Sequence, residues 1–394
     1  MSSYVERAED MKERLVAIRR DLHEHPELAF KEIRTANVVA ETLQELGIEY
    51  TAGVAKTGVV GHLGEGSPVI ALRADMDALP LTEANDVPYR SQTPGKMHAC
   101  GHDAHTTSLL GAAMLLSQDF AAGKLKGSVR FLFQPAEEMW DEELKSGGRR
   151  MVEEGALEGV DAVVGMHVIS TLPSNDVYVR EGPFMAAVDS FVGAVVGKGG
   201  HGAYPHEALD PIWLAAQVIN GIQGAVSRRM NPIQNGLISV TMVHAGTANN
   251  IIPVEVLLEG TIRSFDPEVR EQLHTDLENA FSIARVWGGD YRLEIQHGYP
   301  VTRNDPEMAR FVREMATGLI GEDRVKDAHM EMGAEDFSYM AQAKPAAFFY
   351  VGAKKDDVDR RHHDPHFDID EAVLPTGAAL LAEAARKYLE ENGN

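Results

Sequence analysis

The stretch VRFLFQPAEEMWDEE, residues 129–143, runs from an apolar segment directly into a cluster of carboxylates. Residues 129–133 are apolar apart from Arg130 and are bounded by Gly127 and Pro135. A short run with such ends reads as a buried strand rather than a helix. Three further runs have the same character, at 69–72, 162–166 and 348–351. Helical segments lie between them, for example 103–117, where Leu109, Ala113 and Leu116 share a face. Strands alternating with helices predict an α/β layer domain around a parallel or mixed sheet. In open sheets of this kind, sites form just outside the carboxyl ends of the strands. Glu137 and Glu138 fall there. Adjacent carboxylates point in different directions, so one can bind a metal while the other takes a proton from water. The competing reading is a solvated acidic run that reaches Glu143.

Other strand ends carry side chains of the same usefulness. The run 162–166 ends in His167, and RADMDALP, residues 73–80, sets Asp75 and Asp77 beyond the run 69–72. A carboxylate there could orient a ligating imidazole, or it could simply cap a turn. HACGHDAHT, residues 98–106, places Cys100, His102 and His105 at the expected start of a helix, after a loop containing Pro94 and Gly95. Thiolate and imidazole suit borderline metals, while a buried structural cysteine beside two surface histidines is the alternative. RRHHDPHFDID, residues 360–370, adds His362, His363 and His366 in a turn-forming context. Four separated segments offering metal-type ligands predict a metal-dependent hydrolytic site.

The totals limit what such a site could serve. A chain of 394 residues is expected to form two domains. The formal net charge of −23 opposes binding to nucleic acid or anionic membrane. The single cysteine excludes an intrachain disulfide and fits a reducing compartment. The first residues, MSSYVERAEDMKERL, lack an apolar core, and no run approaches the ~18–20 apolar residues of a membrane span. The expected location is therefore the cytoplasm. Residues 5–47 read as helix with a break near His25-Pro26. The middle of the chain reads differently: strands at 190–196, 237–243, 254–262 and 292–296 are interleaved with helices carrying Ile212, Ile219 and Val226, and Val269, Leu273 and Leu277. The order strand–helix–strand–strand–helix–strand is the ferredoxin-like split pattern. A small α+β domain is thus expected at 185–296, inserted into a catalytic domain built from 1–184 and 297–394.

RADMDALP, HACGHDAHT, FQPAEE, GMHV, GGHGAYPHEALDPI, GTANNIIP, GTIRSFD, MGAEDFS and HHDPHFDID follow one another along the chain. Together they resemble the amidohydrolase branch of the aminoacylase and glutamate carboxypeptidase metallopeptidases, over about residues 15–390. The resemblance implies a zinc-peptidase-like α/β/α catalytic domain with a ferredoxin-like lid that also forms the dimer interface, giving a homodimer or homotetramer. It implies two divalent metal ions, Zn2+ first and Mn2+, Co2+ or Ni2+ as alternatives, on Cys100, His102, Glu138, His167 and His363. His363 is preferred to His362 because the family pattern puts the ligand two residues before the proline, here Pro365. Glu137 matches the general base and Asp77 the aspartate behind the ligands. His201 matches a lid histidine that reaches the active site of the partner subunit, and Asn250 and Arg263 match residues that hold a substrate carboxylate. The implied activity is hydrolysis of N-acyl-L-amino acids, N-acetyl or N-benzoyl, with removal of a C-terminal residue from short peptides as the alternative. The family often has an acidic residue after the IIP triplet, where this chain has Val254.

Overall fold

The four apolar runs at 69–72, 129–133, 162–166 and 348–351 form the centre of one eight-stranded sheet in the computed structural model, which describes residues 3–393. Across the sheet the strands are ordered Glu49–Val54, Gly58–Glu65, Gly127–Gln134, Val69–Asp75, Ala162–Ile169, Ala346–Gly352, Val177–Val179 and Val325–Asp327. The pairings among Gly127–Gln134, Val69–Asp75, Ala162–Ile169 and Ala346–Gly352 are all parallel. Their carboxyl ends therefore lie along one edge, which is where the chemistry-bearing side chains follow. The near-continuous apolar character of these strands has its cause in cover on both faces. On one face, a Cβ at Gly377 of helix Val373–Asn392 would meet Ser108 Oγ at 2.7 Å and Met166 Cε at 2.8 Å. On the other, a Cβ at Gly165 would meet the rings of Phe337 and Phe348, each at 2.9 Å. Met166 and Gly165 are neighbours on one strand and so point to opposite faces. The result is an α/β/α layering.

Helix His102–Ala121 is buried along nearly its whole length, and it crosses Val373–Asn392 closely enough that a Cβ at Gly111 would stand 2.7 Å from Ala378 Cβ. Gly111→Leu should therefore destabilise the fold by about 1–3 kcal/mol through overpacking. The midpoint of urea unfolding measures this, and an unchanged midpoint would show that the crossing can open without cost.

At the amino end, the helical reading of 5–47 is correct in type but not in continuity. Helices Tyr4–Glu9, Lys12–Glu24 and Ile33–Glu45 replace one helix with a single break. The additional interruption comes at Asp10 and Met11, before a helix whose amino end has no side-chain cap. The hairpin Glu49–Val54 and Gly58–Glu65 is not legible in the sequence, because neither strand has a clean apolar alternation: the first is exposed along almost its whole length.

The chain divides into two compact units. The first comprises the segments up to Gly182, Arg303–His329 and from Asp336 onward; the second comprises Pro183–Thr302 and Met330–Glu335. The second unit has a four-stranded antiparallel sheet in the order Gly236–Ala245, Glu255–Ser264, Ala187–Val196, Asp290–His297. Helices Pro211–Arg228 and Pro267–Val286 pack on it, with Phe191, Val195, Leu214, Val218, Leu277 and Phe281 in the core. In chain order this is the ferredoxin-like arrangement. Both helices begin with Asp-Pro: Asp210 accepts from the Ile212 N–H, Asp266 accepts from the Glu268 N–H, and each proline fills the first helical position. Among the described residues no helix is long and apolar enough to cross a membrane.

Candidate active site

Strand Ala162–Ile169, which carries His167, and the segments that follow Gly127–Gln134 and Val69–Asp75 bring side chains to one cluster. Cys100 and Gly101 lead into helix His102–Ala121, with Gly101 at φ 89°. A side chain at Gly101 would also strike Val168 Cγ2 at 2.5 Å, so both the left-handed backbone and the close packing require glycine. This turn places Cys100 Sγ 3.5 Å from His167 Nε2. His167 donates from Nδ1 to the Val168 carbonyl (2.7 Å), which leaves the Nε2 lone pair facing the cysteine. His102 donates from Nδ1 to Asp77 Oδ1 (3.2 Å), and its buried Nε2 has no hydrogen-bond partner. An imidazole fixed through one nitrogen, with the other buried and aimed inward, has the orientation of a metal ligand. His363, at φ 62° and half exposed, brings Nε2 to 2.9 Å from Glu138 Oε1.

Two donor triads share Cys100. One is Cys100, His102 and Glu138; the other is Cys100, His167 and His362; within each triad the ligand atoms lie inside 4.8 Å of one another. Sulfur, imidazole and carboxylate donors suit divalent cations of borderline softness. The electrostatics agree. Burial, reinforced by Glu138 and Glu137, pushes the Cys100 thiol well up, so a thiolate there needs a cation. Burial opposes charge on His102, but Asp75 and Asp77 outweigh it and lift the group to about 10. The pocket thus favours a positive charge at His102 Nε2, and a divalent cation would take the place of that proton. His167 is held well below its ordinary value, by burial first and then by the neighbouring His105 and His362, and so stays neutral. The residues present fit a site for two divalent metal ions.

Glu137 and Glu138 follow strand Gly127–Gln134 and are fixed from behind. Asp77 Oδ1 accepts from the Glu137 N–H and Oδ2 from the Glu138 N–H, both at 3.0 Å. Glu137 is buried, and its Oε1 accepts from the Asp336 N–H at 3.4 Å. Asp77 therefore orients His102 and the backbone of both glutamates at once. A family model described as Peptidase family M20/M25/M40 matches residues 71–387, which include all of these groups. The chain belongs to this peptidase family.

Relatives of this M20 chain cover nearly its full length. An N-acetylcysteine deacetylase of Bacillus subtilis is 41% identical over 381 residues, covering 96% of this chain and 97% of its own. Thermostable carboxypeptidase 2 of Saccharolobus solfataricus is 41% identical over 381 residues, covering 95% of each. A solved Bacillus subtilis structure, described as a dinuclear metal binding peptidase from the M20 family, superposes with a TM-score of 0.83 at 37% identity, covering 97% of this chain and 99% of that one. The chain is accordingly a hydrolase of the M20 family.

Within the M20 chain, Cys100, His102, Glu138, His167 and His363 come together with Glu137 and Asp77. His362, set aside on sequence, also joins the cluster: it is half-buried and accepts from the Ser170 N–H at Nε2 (3.3 Å), and desolvation of its ring lowers it to about 3. His105 lies within the cluster too, but both its nitrogens are engaged. It donates from Nδ1 to Asp75 Oδ1 (2.6 Å) and accepts from the Val168 N–H at Nε2 (2.9 Å), tying the helix start to the strand that carries His167. In the second unit, His201 and Asn250 are adjacent, since the Gly202 N–H donates to the Asn250 carbonyl at 2.8 Å and Gly200–His201 pairs with Ile251–Ile252. Both are exposed. Arg263 stands on a different strand, Glu255–Ser264, and its guanidinium donates to the Met332 carbonyl (3.2 Å), the Ile262 carbonyl (3.2 Å) and Thr261 Oγ1. Sequence reasoning missed Arg73, Gln134 and Asp336, which form a buried polar network behind the glutamates. The available signal was an arginine and a glutamine inside otherwise apolar strands.

Proposed function

We propose that this chain hydrolyses the amide bond of N-acyl-L-amino acids, releasing a carboxylic acid and a free amino acid. The observation that carries the reading is Glu137, a buried carboxylate held beside Glu138 in a cluster of metal-type donors. Cys100, His102, Glu138, His167 and His363 would hold two divalent ions, Zn2+ first, with Mn2+, Co2+ or Ni2+ as the alternatives that the mixed donor set also accepts. When bound, these ions acidify a water and polarise the acyl carbonyl. Glu137 takes the proton of the attacking water and returns it to the leaving nitrogen. Asp77 keeps His102 in the tautomer that leaves Nε2 unprotonated, and it holds the glutamate backbone. His201, supplied by a second copy of the chain, would donate to the developing oxyanion. Asn250 and Arg263 would grip the carboxylate on the amine side, with the guanidinium suited to two-point recognition. The first unit then serves as the catalytic domain, and the second as lid and dimerisation domain in a homodimer or homotetramer. A thiol used as a ligand fits the reducing cytoplasm.

The similarity to a carboxypeptidase supports a second reading, removal of a C-terminal residue from short peptides. A panel of N-acetyl and N-benzoyl amino acids, run beside dipeptides and N-blocked dipeptides with elemental analysis of the same sample, separates the two. Fast cleavage of the acyl amino acids, slow cleavage of dipeptides and two metal ions per chain are expected. Preference for dipeptides would replace the first reading by the second, and inactivity of the metal-loaded protein toward both would remove both.

A further inference from the structure

The loop that carries the base and its neighbouring ligand is held by a carboxylate that the catalytic reading does not use. Glu32 lies between the first helices, more than a hundred residues before Glu137, and is fully buried. Its Oε1 accepts from the Ala136 N–H at 2.9 Å and from the Phe30 N–H at 3.0 Å. Its Oε2 accepts from Thr57 Oγ1 at 2.6 Å. Ala136 and Phe30 are both non-glycine residues with left-handed backbone, at φ 48° and φ 58°. Such conformations persist only where the surroundings fix them, and here one carboxylate oxygen holds both amides. The Glu137 and Glu138 amides go to Asp77. Three consecutive N–H groups, 136 to 138, are thus committed to two buried carboxylates from separate parts of the chain.

We infer that Glu32 is a positioning residue for the catalytic loop, which sets the backbone turn at Ala136 and so the directions in which the Glu137 and Glu138 side chains leave it. This rests on the reading of Glu137 as base and Glu138 as ligand. A simple core role would need only a polar group with its partners satisfied; here the partner is the residue that precedes the base, in a conformation alanine does not adopt unaided. Burial, followed by the charge of Asp77, raises Glu32 to about 7, so a neutral side chain of the same shape is compatible with the site. In a Glu32→Gln variant the new carboxamide would keep its carbonyl oxygen on the Ala136 N–H and turn its NH2 toward Thr57 Oγ1, which can accept as well as donate.

The test uses the full-length, metal-loaded chain with Glu32→Ala, Glu32→Gln and Glu32→Asp. Amide hydrogen exchange is measured on the peptide containing 136–138, alongside kcat, KM and metal content on an N-acetyl amino acid. For Glu32→Ala, exchange at Ala136 should accelerate and kcat should fall on the order of 10- to 100-fold, the usual effect of losing a supporting partner of a metal site, with KM little changed. Glu32→Gln should keep slow exchange and recover kcat to within about threefold, as the preserved acceptor requires. Should Glu32→Ala not fold, Glu32→Asp carries the same expectation, because its acceptor is withdrawn by one methylene while the charge stays. Wild-type exchange and kcat in Ala and Asp variants would overturn the inference, as would a Gln variant as impaired as the Ala variant. The exchange measurement needs no substrate. A wild-type protein inactive on acyl amino acids would defeat the proposed function, yet the clamp on Ala136 would still be read directly.

Discussion

Glu137→Gln should lower kcat by on the order of 10²- to 10⁴-fold, the range typical for loss of a general acid–base group, with metal content and unfolding temperature unchanged. The geometry explains why so small a change should act so narrowly. The Glu137 N–H is held by Asp77, and that contact is independent of the side chain. The contact at Oε1, from the Asp336 N–H, needs only an acceptor, and the glutamine carbonyl supplies one. The ability to take a proton is what disappears. Glu138→Gln should behave differently, because Glu138 belongs to the donor triad with Cys100 and His102, and weakened donation there shows as lost metal. Single-turnover kinetics and elemental analysis on both variants make the comparison. If Glu137→Gln kept near-wild-type turnover, the proton acceptor would have to be another group. If it lost metal as Glu138→Gln does, the two adjacent glutamates would share one role, and the division of labour proposed for them would fail.

The parts of this molecule that sequence reading reached were those with a local signature. The central strands announced themselves as short apolar runs because burial on both faces removes the need for polar alternation. The helices of the second unit carried a clean helical period and began with Asp-Pro. The strand-end ligands were legible because each lies within a few residues of an apolar run. What could not be read was whatever depends on partners distant in sequence. His362 and His363 are adjacent, and only packing separates them: one packs against the rings of His167 and Phe367, the other faces Glu138. His105 carries the same motif as the ligands, yet its two nitrogens are taken by Asp75 and the Val168 amide. Glu32, more than a hundred residues from the loop it holds, has no signal in the intervening chain. The hairpin at 49–65 escaped for the opposite reason, since its first strand is exposed and lacks an apolar pattern.

Asp336→Ala should destabilise the protein by about 3–5 kcal/mol, the range for removing one partner of a buried charge pair. Asp336 is the aspartate of the motif MGAEDFS and is fully buried. Its Oδ1 accepts from Arg73 at 3.0 Å and from Gln134 Nε2 at 2.7 Å, and its Oδ2 accepts from the Gly148 N–H at 2.7 Å. Arg73 in turn donates to Asp75 Oδ2 at 2.8 Å and to Gln134 Oε1 at 2.8 Å. Arg73, Asp75 and Asp336 have side chains with no solvent exposure. Water cannot replace the lost carboxylate here, so the penalty is that of buried donors losing an acceptor rather than of a surface pair, which is worth about 0–1 kcal/mol. Asp336→Asn should cost less, because the carboxamide oxygen can still accept from Arg73 and Gln134, while its NH2 meets the Gly148 N–H and loses that bond. Urea unfolding of the metal-free and metal-loaded forms gives the order wild type, Asn, Ala, and the loaded form is expected to narrow the gap by mass action on the folded state. The two variants should also differ in catalysis. The Asp336 N–H that contacts Glu137 belongs to the backbone, so kcat follows the side chain only to the extent that the side chain holds that backbone in place. A strongly destabilised Ala variant with wild-type kcat in its folded fraction would mean that the network supports the fold alone. A loss of kcat that outlasts stabilisation by metal would mean that the same buried charges also hold the base.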